Sequence, residues 1–408
     1  MTLPFLGWLT GAVFFFYAWV LRVSPSVMVE ELMREFTIGA AVVGNLSAFY
    51  FYGYAGMQIP VGLMIDRFGP RRLMAVAGLV CGASCLLFAW STSLEGLALG
   101  RFLIGASAAF SLVGAMSVAG QWFLPAQFAL LGGLAMASGM AGGVLGQAPV
   151  RLLLEVHGWR PTVAIMSLGG LVIAIMALAF VRDKTRGTGG LGSVLAGLGL
   201  VMRNPQSWIV ALGGLGTNGA LLGFGGLWGV PFLRTAHGLE PATAAFVTSL
   251  LIAGWGVGAP LFGWLSDRMG RRRLPFILGY AICIPAMLAL VYGPPMPVEA
   301  LATLTFLTGF GGSSQIVSFA VAREVNPPHV SGTAIGFVNA FVTGTGALYQ
   351  PLIGWLIDRS WSGAVVDGAR VYEAGDYRSG FLVLVCGLFA GFVCALALRE
   401  TRCRPLGA

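Results

Sequence analysis

Twelve apolar stretches, each long enough to cross a bilayer as a helix, succeed one another along the 408 residues. At 1.5 Å per residue, a helix needs about 20 residues to traverse some 30 Å of hydrocarbon. The runs lie near 5–29, 40–65, 73–92, 97–120, 128–150, 161–181, 207–229, 242–265, 275–293, 299–321, 331–357 and 379–398. Each is continuously apolar, whereas a barrel strand alternates over about ten residues. The expected fold is an all-α membrane protein with twelve transmembrane helices. Charged residues make up only 10% of the chain, against about a quarter in a soluble domain, so the surface cannot be one built for water.

Where the charges fall sets the topology. Cytoplasmic loops of membrane proteins carry an excess of Lys and Arg. With the N-terminus inside, fifteen basic residues fall on the inner side and seven on the outer, while five acidic residues fall inside and eleven outside. Both termini are therefore expected in the cytoplasm, in the inner membrane of a cell. The net charge of +8 follows from these loops and implies no nucleic-acid partner. Five of the six cysteines (Cys81, Cys85, Cys283, Cys386 and Cys394) sit inside apolar runs and are read as packing residues. No disulfide framework is expected. The first basic residue is Arg22, so no cleavable signal is expected.

The chain divides in two. Residues 1–181 and 207–408 each hold six runs, and 182–206, rich in Gly, Arg and Lys, reads as a cytoplasmic linker. An internal repeat supports this division. GLMIDRFGPRR at 62–72 returns as GWLSDRMGRRR at 263–273, at an offset of 201. Gly62, Asp66, Arg67, Gly69, Arg71 and Arg72 fall on Gly263, Asp267, Arg268, Gly270, Arg272 and Arg273. Each copy follows the second helix of its half, and repeats of this kind are a transporter architecture.

With these residues the chain resembles the major facilitator superfamily of secondary transporters, whose signature is the GxxxDRxGxRR loop between spans two and three. Arg101 in GRFLIG and Gly158–Arg160 before span six match as well. The resemblance covers the whole chain. It implies two pseudosymmetric six-helix bundles around a central cavity lined by spans one, four, seven and ten, with rocking between inward- and outward-open states. In the signature, Gly62 would allow close approach of another helix. Asp66 would latch one state by accepting hydrogen bonds from a helix N-terminus or an arginine. Arg67, Arg71 and Arg72 would hold the loop at anionic headgroups.

Polar side chains gather on the spans that the resemblance places around the cavity, or next to them. Candidate substrate contacts are Tyr17 and Arg22 on span one, Tyr50, Tyr54 and Gln58 on span two, and Arg101 on span four. Asn218, Gln315, Asn339 and Tyr349 are their counterparts in the second half. Candidate conformational residues are Gly62, Asp66, Arg67, Gly69, Arg71 and Arg72, with Gly263, Asp267, Arg268 and Gly270 in the second copy.

Only Arg22 and Arg101 put a charge within the hydrocarbon, with no carboxylate beside them on their helices. An arginine there costs about 3 kcal/mol or more unless it meets water, a partner or a ligand. Its planar fork suits carboxylate or phosphate, so an anionic small molecule is the expected substrate. A structural arginine paired with Glu30, Glu31 or a backbone carbonyl is the competing reading. The organic-anion branch of the superfamily likewise tends to carry a Tyr and an Arg on span one, though closer together than the five residues here.

No phosphate loop, HExxH or GxSxG is present, which excludes an ATP-driven pump and disfavours an enzyme. Neither a cofactor nor a metal is called for. The membrane lipid and a small-molecule substrate are the expected partners, and a monomer is expected. A co-transported ion or proton stays open, because no Asp, Glu or His lies mid-membrane. An exporter of drugs or other neutral or cationic metabolites, or a peptide or amino-acid transporter, is the alternative on the same fold.

Overall fold

The structure is a computed structural model that describes residues 3–183, 191–366 and 369–404. The side chains of Ile59, Asp66, Pro125, Ala126, Ala129, 191–196 and His329 also lie outside the described residues. Contacts divide the chain into two compact units, one of Met1–Phe36 with Asn45–Gly190 and one of Thr37–Gly44 with Leu191–Ala408. Among the described residues, ten helical segments are long and apolar enough to cross a membrane. An eleventh arises if the bent pair Val29–Phe36 and Ala40–Gln58 counts as one span. The helix Ser331–Ser360, which carries Asn339, Tyr349, Gln350 and Asp358, lies where the sequence places the eleventh run.

The first unit holds α1 (Leu3–Val23), α2 (Val29–Phe36), most of α3 (Ala40–Phe68), α4 (Pro70–Trp90), α5 (Leu94–Trp122), α6 (Pro125–Leu145), α7 (Ala148–His157) and α8 (Trp159–Phe180). Glycine sets its helix crossings, since small residues let backbones meet where lipid supplies no hydrophobic drive. A Cβ at Gly170 of α8 would stand 2.6 Å from the Gly82 nitrogen of α4. The glycines of the fifth run serve the same purpose. Gly139 lies against Phe15 and Trp19, Gly142 against the Phe16 carbonyl and Gly146 against Val20 and Val23. The fifth run is broken at Gly146–Gln147, so α6 and α7 are separate helices. α8 turns Leu168, Leu171, Val172 and Ile175 outward, as expected of a lipid-facing helix.

The second unit begins with α9 (Leu191–Arg203), so the expected linker 182–206 contains a 13-residue helix, while 184–190 lie outside the described residues. Then come α10 (Pro205–Gly219), a π-helical stretch Ala220–Trp228, α11 (Gly229–His237), α12 (Pro241–Met269), α13 (Arg273–Tyr292), α14 (Val298–Gly312), α15 (Ile316–Glu324), α16 (Ser331–Ser360) and α17 (Ala374–Ala397). Strands β1 (Val365–Val366) and β2 (Ala369–Arg370) pair antiparallel ahead of α17. The first turn of α3 also belongs to this unit. Asp358 caps it, its two carboxylate oxygens accepting from the Ala40 and Ala41 nitrogens at 3.1 and 2.9 Å. A carboxylate at a helix N-terminus satisfies orphan amides and opposes the helix dipole. Arg370 and Tyr372 donate to the same Asp358 carboxylate.

The signature loops differ from expectation. Among the described residues nothing lies within 4 Å of a Cβ placed at Gly62 or Gly263, so neither glycine mediates a close helix approach. The Asp66 side chain lies outside the described residues. Another acid, Asp183, accepts from the Arg71 nitrogen at 3.0 Å and caps the start of α4, where Gly69 turns the chain with φ 81°. Arg71 itself donates to the Leu178 carbonyl at 2.8 and 3.2 Å. It ties α4 to α8 instead of reaching for headgroups. Arg67 and Arg72 are exposed, as that role requires.

The second copy is a closed polar cage. Arg272 donates to Glu324 at 2.7 Å, to Asp267 at 2.6 Å and to the Ser266 hydroxyl at 2.9 Å. Thr401 donates to Glu324 at 2.5 Å. Glu400 accepts from the nitrogens of Arg272, Arg273 and Arg402 at 2.7, 3.1 and 3.1 Å. Gly270 ends α12 with φ 61°, and Arg268 lies over Trp264 at 5.3 Å. Asp183 and Glu400 thus do the same work. Each is an acid just past the last helix of its half, accepting from the nitrogen of Arg71 or Arg272, which the repeat sets in register.

Candidate functional site: a two-arginine aromatic cluster

Arg22 lies in the last turn of α1, where unsatisfied carbonyls give the helix its negative end. Its partners come from α3 and α5, which cross backbone to backbone. A Cβ at Gly53 of α3 would meet the Phe102 carbonyl, and one at Gly105 of α5 would overlap the Tyr50 carbonyl. This contact sets Tyr50 beside both arginines. The Arg22 guanidinium carbon lies 5.3 Å from the Tyr50 ring centre, and that of Arg101 lies 5.1 Å from it. Arg101 Nη1 also donates to the Leu21 carbonyl at 2.8 Å, which holds it against the end of α1.

Rings surround Arg22. Trp19 lies 4.3 Å away, Tyr54 4.8 Å and Phe51 6.0 Å. Tyr50 and Tyr54 stack at 13° with centroids 6.0 Å apart. A desolvated cation over an aromatic face gains about 2 kcal/mol, so the cage accounts for the faces of the guanidinium. It does not account for the edges. Arg22 Nε donates to the Tyr50 hydroxyl at 3.4 Å, and that hydroxyl donates to the Ala18 carbonyl at 3.3 Å.

Arg22 Nη2 and Arg101 Nε and Nη2 are buried and have no hydrogen-bond partner among the described residues. The two arginines are 5% and 2% exposed. Burying an unpaired charge costs several kcal/mol. Of the competing partners, Glu31 is bound to Arg151 at 2.7 Å, whereas a backbone carbonyl, that of Leu21, does accept from Arg101. The free N–H donors of two planar forks call for oxygens in their plane, which a carboxylate or phosphate supplies.

Of the other candidates in the first unit, Tyr17 is not brought to this cluster. Tyr17 points to α8, donating to the Met166 carbonyl at 2.8 Å, and its ring packs on Gly169. It is a helix-packing residue. Gln58 is half-buried on α3, one turn past Tyr54. In the second unit, Asn218 donates to the Val342 carbonyl, and Gln315 donates to the Ser318 hydroxyl at 3.1 Å. The Tyr349 ring packs against Gly219. These three are engaged in helix packing, while Asn339 is half-exposed on α16. Sequence reasoning missed Trp19 and Phe51, whose i−3 spacing from Arg22 and adjacency to Tyr50 were the available signals.

A sequence profile of the Major Facilitator Superfamily matches residues 8–233 and again 215–406. The chain belongs to the Major Facilitator Superfamily. It is a multi-pass membrane transporter of this superfamily and not an enzyme. It is similar to the "Probable sulfoacetate transporter SauU" of Cupriavidus necator, with 24% identity over 371 residues, 85% of this chain and 86% of that one. The nitrite extrusion protein of Bacillus subtilis is 24% identical over 384 residues, covering 93% and 89%. In fold, the chain is similar to a bacterial homolog of the human lysosomal transporter Spinster. Its crystal structure superposes with a TM-score of 0.81 at 17% identity over 100% of both chains.

Proposed function

We propose that the chain carries a small anion bearing a carboxylate, sulfonate or similar oxyanion across the inner membrane by alternating access, with both termini cytoplasmic. The observation that carries this reading is the pair of buried arginines in which Arg22 Nη2 and Arg101 Nε and Nη2 have no acceptor among the described residues. The cage of Trp19, Tyr50, Phe51 and Tyr54 excludes water around Arg22 and holds the fork in place, so less side-chain entropy is lost on binding. The sulfoacetate and nitrite relatives are named for anions, in keeping with that chemistry. A neutral or cationic substrate would leave both charges buried and unmatched. The substrate's own charge can supply what a membrane carboxylate supplies elsewhere, so uniport, exchange and symport with a protonated substrate all fit.

The test is thermal unfolding of the purified protein with sulfoacetate, nitrite, small dicarboxylates, amino acids and lipophilic cations. Stabilisation by anions, lost in Arg22→Gln, supports the proposal. Stabilisation by cations or neutral solutes alone overturns it.

A further inference from the structure

The second unit carries a basic cavity far along the chain from the arginine cluster. It has a volume of about 540 Å³ and lies where α12 ends, α13 begins and the chain leaves α17. Arg271, Arg273 and Arg402 line it together with Met269, Leu274 and Ile277. The arginine between them in sequence, Arg272, is engaged by Glu324 and Asp267. The side chains of Arg271, Arg273 and Arg402 make no hydrogen bond or ion pair among the described residues.

Among the described residues, Glu400 is the one carboxylate lining the cavity. Burial acts to raise its carboxyl, but the backbone N–H groups of Arg272, Arg402 and Arg273, with the charge of Arg271, outweigh that and hold it below the usual value, so it stays ionised. Its charge is shared between those amides and Arg271. Two positive charges remain in excess in the cavity.

The backbone is shaped to keep Arg402 there. Arg402 and Cys403 both adopt left-handed conformations, with φ 51° and 60°. A non-glycine residue in that region carries strain of about 1–3 kcal/mol. The turn persists because Glu400 and Thr401 anchor the segment to the start of α13 and to Glu324.

Apolar stripes lead away from the cavity along both helices. Leu274, Ile277 and Leu278 share a face of α13, and Met269, Leu265 and Leu261 occupy successive turns of α12. Leu278, Met269 and Leu261 are 40%, 39% and 48% exposed. A cationic pocket at a helix end that continues into exposed apolar stripes has the layout of an amphiphile site. A free phosphate would use only the arginines.

We infer that this cavity binds the phosphodiester headgroup of an acidic phospholipid. The phosphate is held by Arg271, Arg273 and Arg402, and the acyl chains lie along the α12 and α13 stripes. Such a lipid ties the end of the chain to the helix start that Glu400 caps.

The experiment titrates delipidated protein in neutral detergent with phosphatidylglycerol, phosphatidylcholine or inorganic phosphate, read by native mass spectrometry and thermal unfolding. The variant is Arg271→Gln/Arg273→Gln/Arg402→Gln. Its charge-matched control is Arg268→Gln/Arg323→Gln/Arg399→Gln, three exposed arginines of the same unit outside the cavity. Phosphatidylglycerol is expected to bind wild type and control alike and the variant roughly a hundredfold more weakly. Should the triple variant not fold, Arg402→Gln, which lies outside every helix, is expected to lose about fivefold. Equal binding by variant and wild type, or equal loss in the control, overturns the site. Inorganic phosphate stabilising the protein as well as the lipid does overturns the lipid assignment.

Discussion

Arg22 and Arg101, 79 residues apart in sequence, lie on the same tyrosine ring, each about 5 Å from the centre of Tyr50. Both like charges lie on that shared ring with no carboxylate partner among the described residues, and an anion bridging their free N–H donors would remove their repulsion. The substitutions Arg22→Lys and Arg22→Gln separate charge from geometry. Lysine keeps the charge but not the fork, so Arg22→Lys is expected to weaken anion binding about tenfold. Arg22→Gln is expected to lose about 2–3 kcal/mol, or roughly 30- to 150-fold. Isothermal titration against the stabilising anion measures both. Equal affinity in all three proteins would remove Arg22 from the site.

Tyr50→Phe removes the hydroxyl between Arg22 Nε and the Ala18 carbonyl and leaves the ring. The expected cost is about 1 kcal/mol in anion affinity, with expression and unfolding temperature nearly unchanged. Tyr17→Phe is the contrast. It deletes a bond to the Met166 carbonyl outside the cluster, so it should lower stability while affinity stays at the wild-type value.

The α3–α5 crossing is predicted to be intolerant of volume. A Cβ at Gly105 overlaps the Tyr50 backbone, so Gly105→Ala should cost about 1–3 kcal/mol of stability and displace Tyr50 from both arginines. Unfolding temperature and anion affinity are expected to fall together. Gly62→Ala and Gly263→Ala, which meet nothing, should leave the unfolding temperature where it is.

Breaking the cage of the second unit is expected to be expensive. Glu324 and Arg272 are 3% and 6% exposed, and removing one member of a buried pair typically costs 3–5 kcal/mol. Arg272→Met should therefore unfold roughly 5–15 °C lower or fail to purify, whereas Arg272→Met/Glu324→Leu should recover much of the loss. A double variant no better than the single would argue against an isolated pair.

Acid should loosen the end of the chain in a defined order. The Glu400 carboxyl is held below its ordinary value of 4.5 by three backbone N–H groups and the charge of Arg271. A depressed carboxyl contributes stability in full above the unfolded value and loses it as pH falls through the folded one. Protease access to residues 398–404 should thus be constant from neutrality to about pH 4.5 and rise below it. In Glu400→Gln it should be high throughout.

The spans were legible because hydropathy over twenty residues is a one-dimensional signal. The importance of Arg22 and Arg101 was legible because a lone charge in an apolar run has few explanations. Rotation of a helix about its axis was not legible. Tyr17 and Tyr50 both look like cavity residues in sequence, and only the glycine contacts that orient α1, α3 and α8 separate them. Asp183 and Glu400 escaped notice for another reason. They lie at the ends of different runs from the loops they cap, and no local pattern links an acid to amides 112 or 128 residues away.

The caps by Asp183 and Glu400 bear on how this protein can be handled. Residues 398–404 look like a dispensable tail, yet they close the cage around Arg272 and hold the first turn of α13. An affinity tag or reporter should be fused beyond residue 404. A truncation before residue 400, however harmless by hydropathy, would unfasten a transmembrane helix at its root.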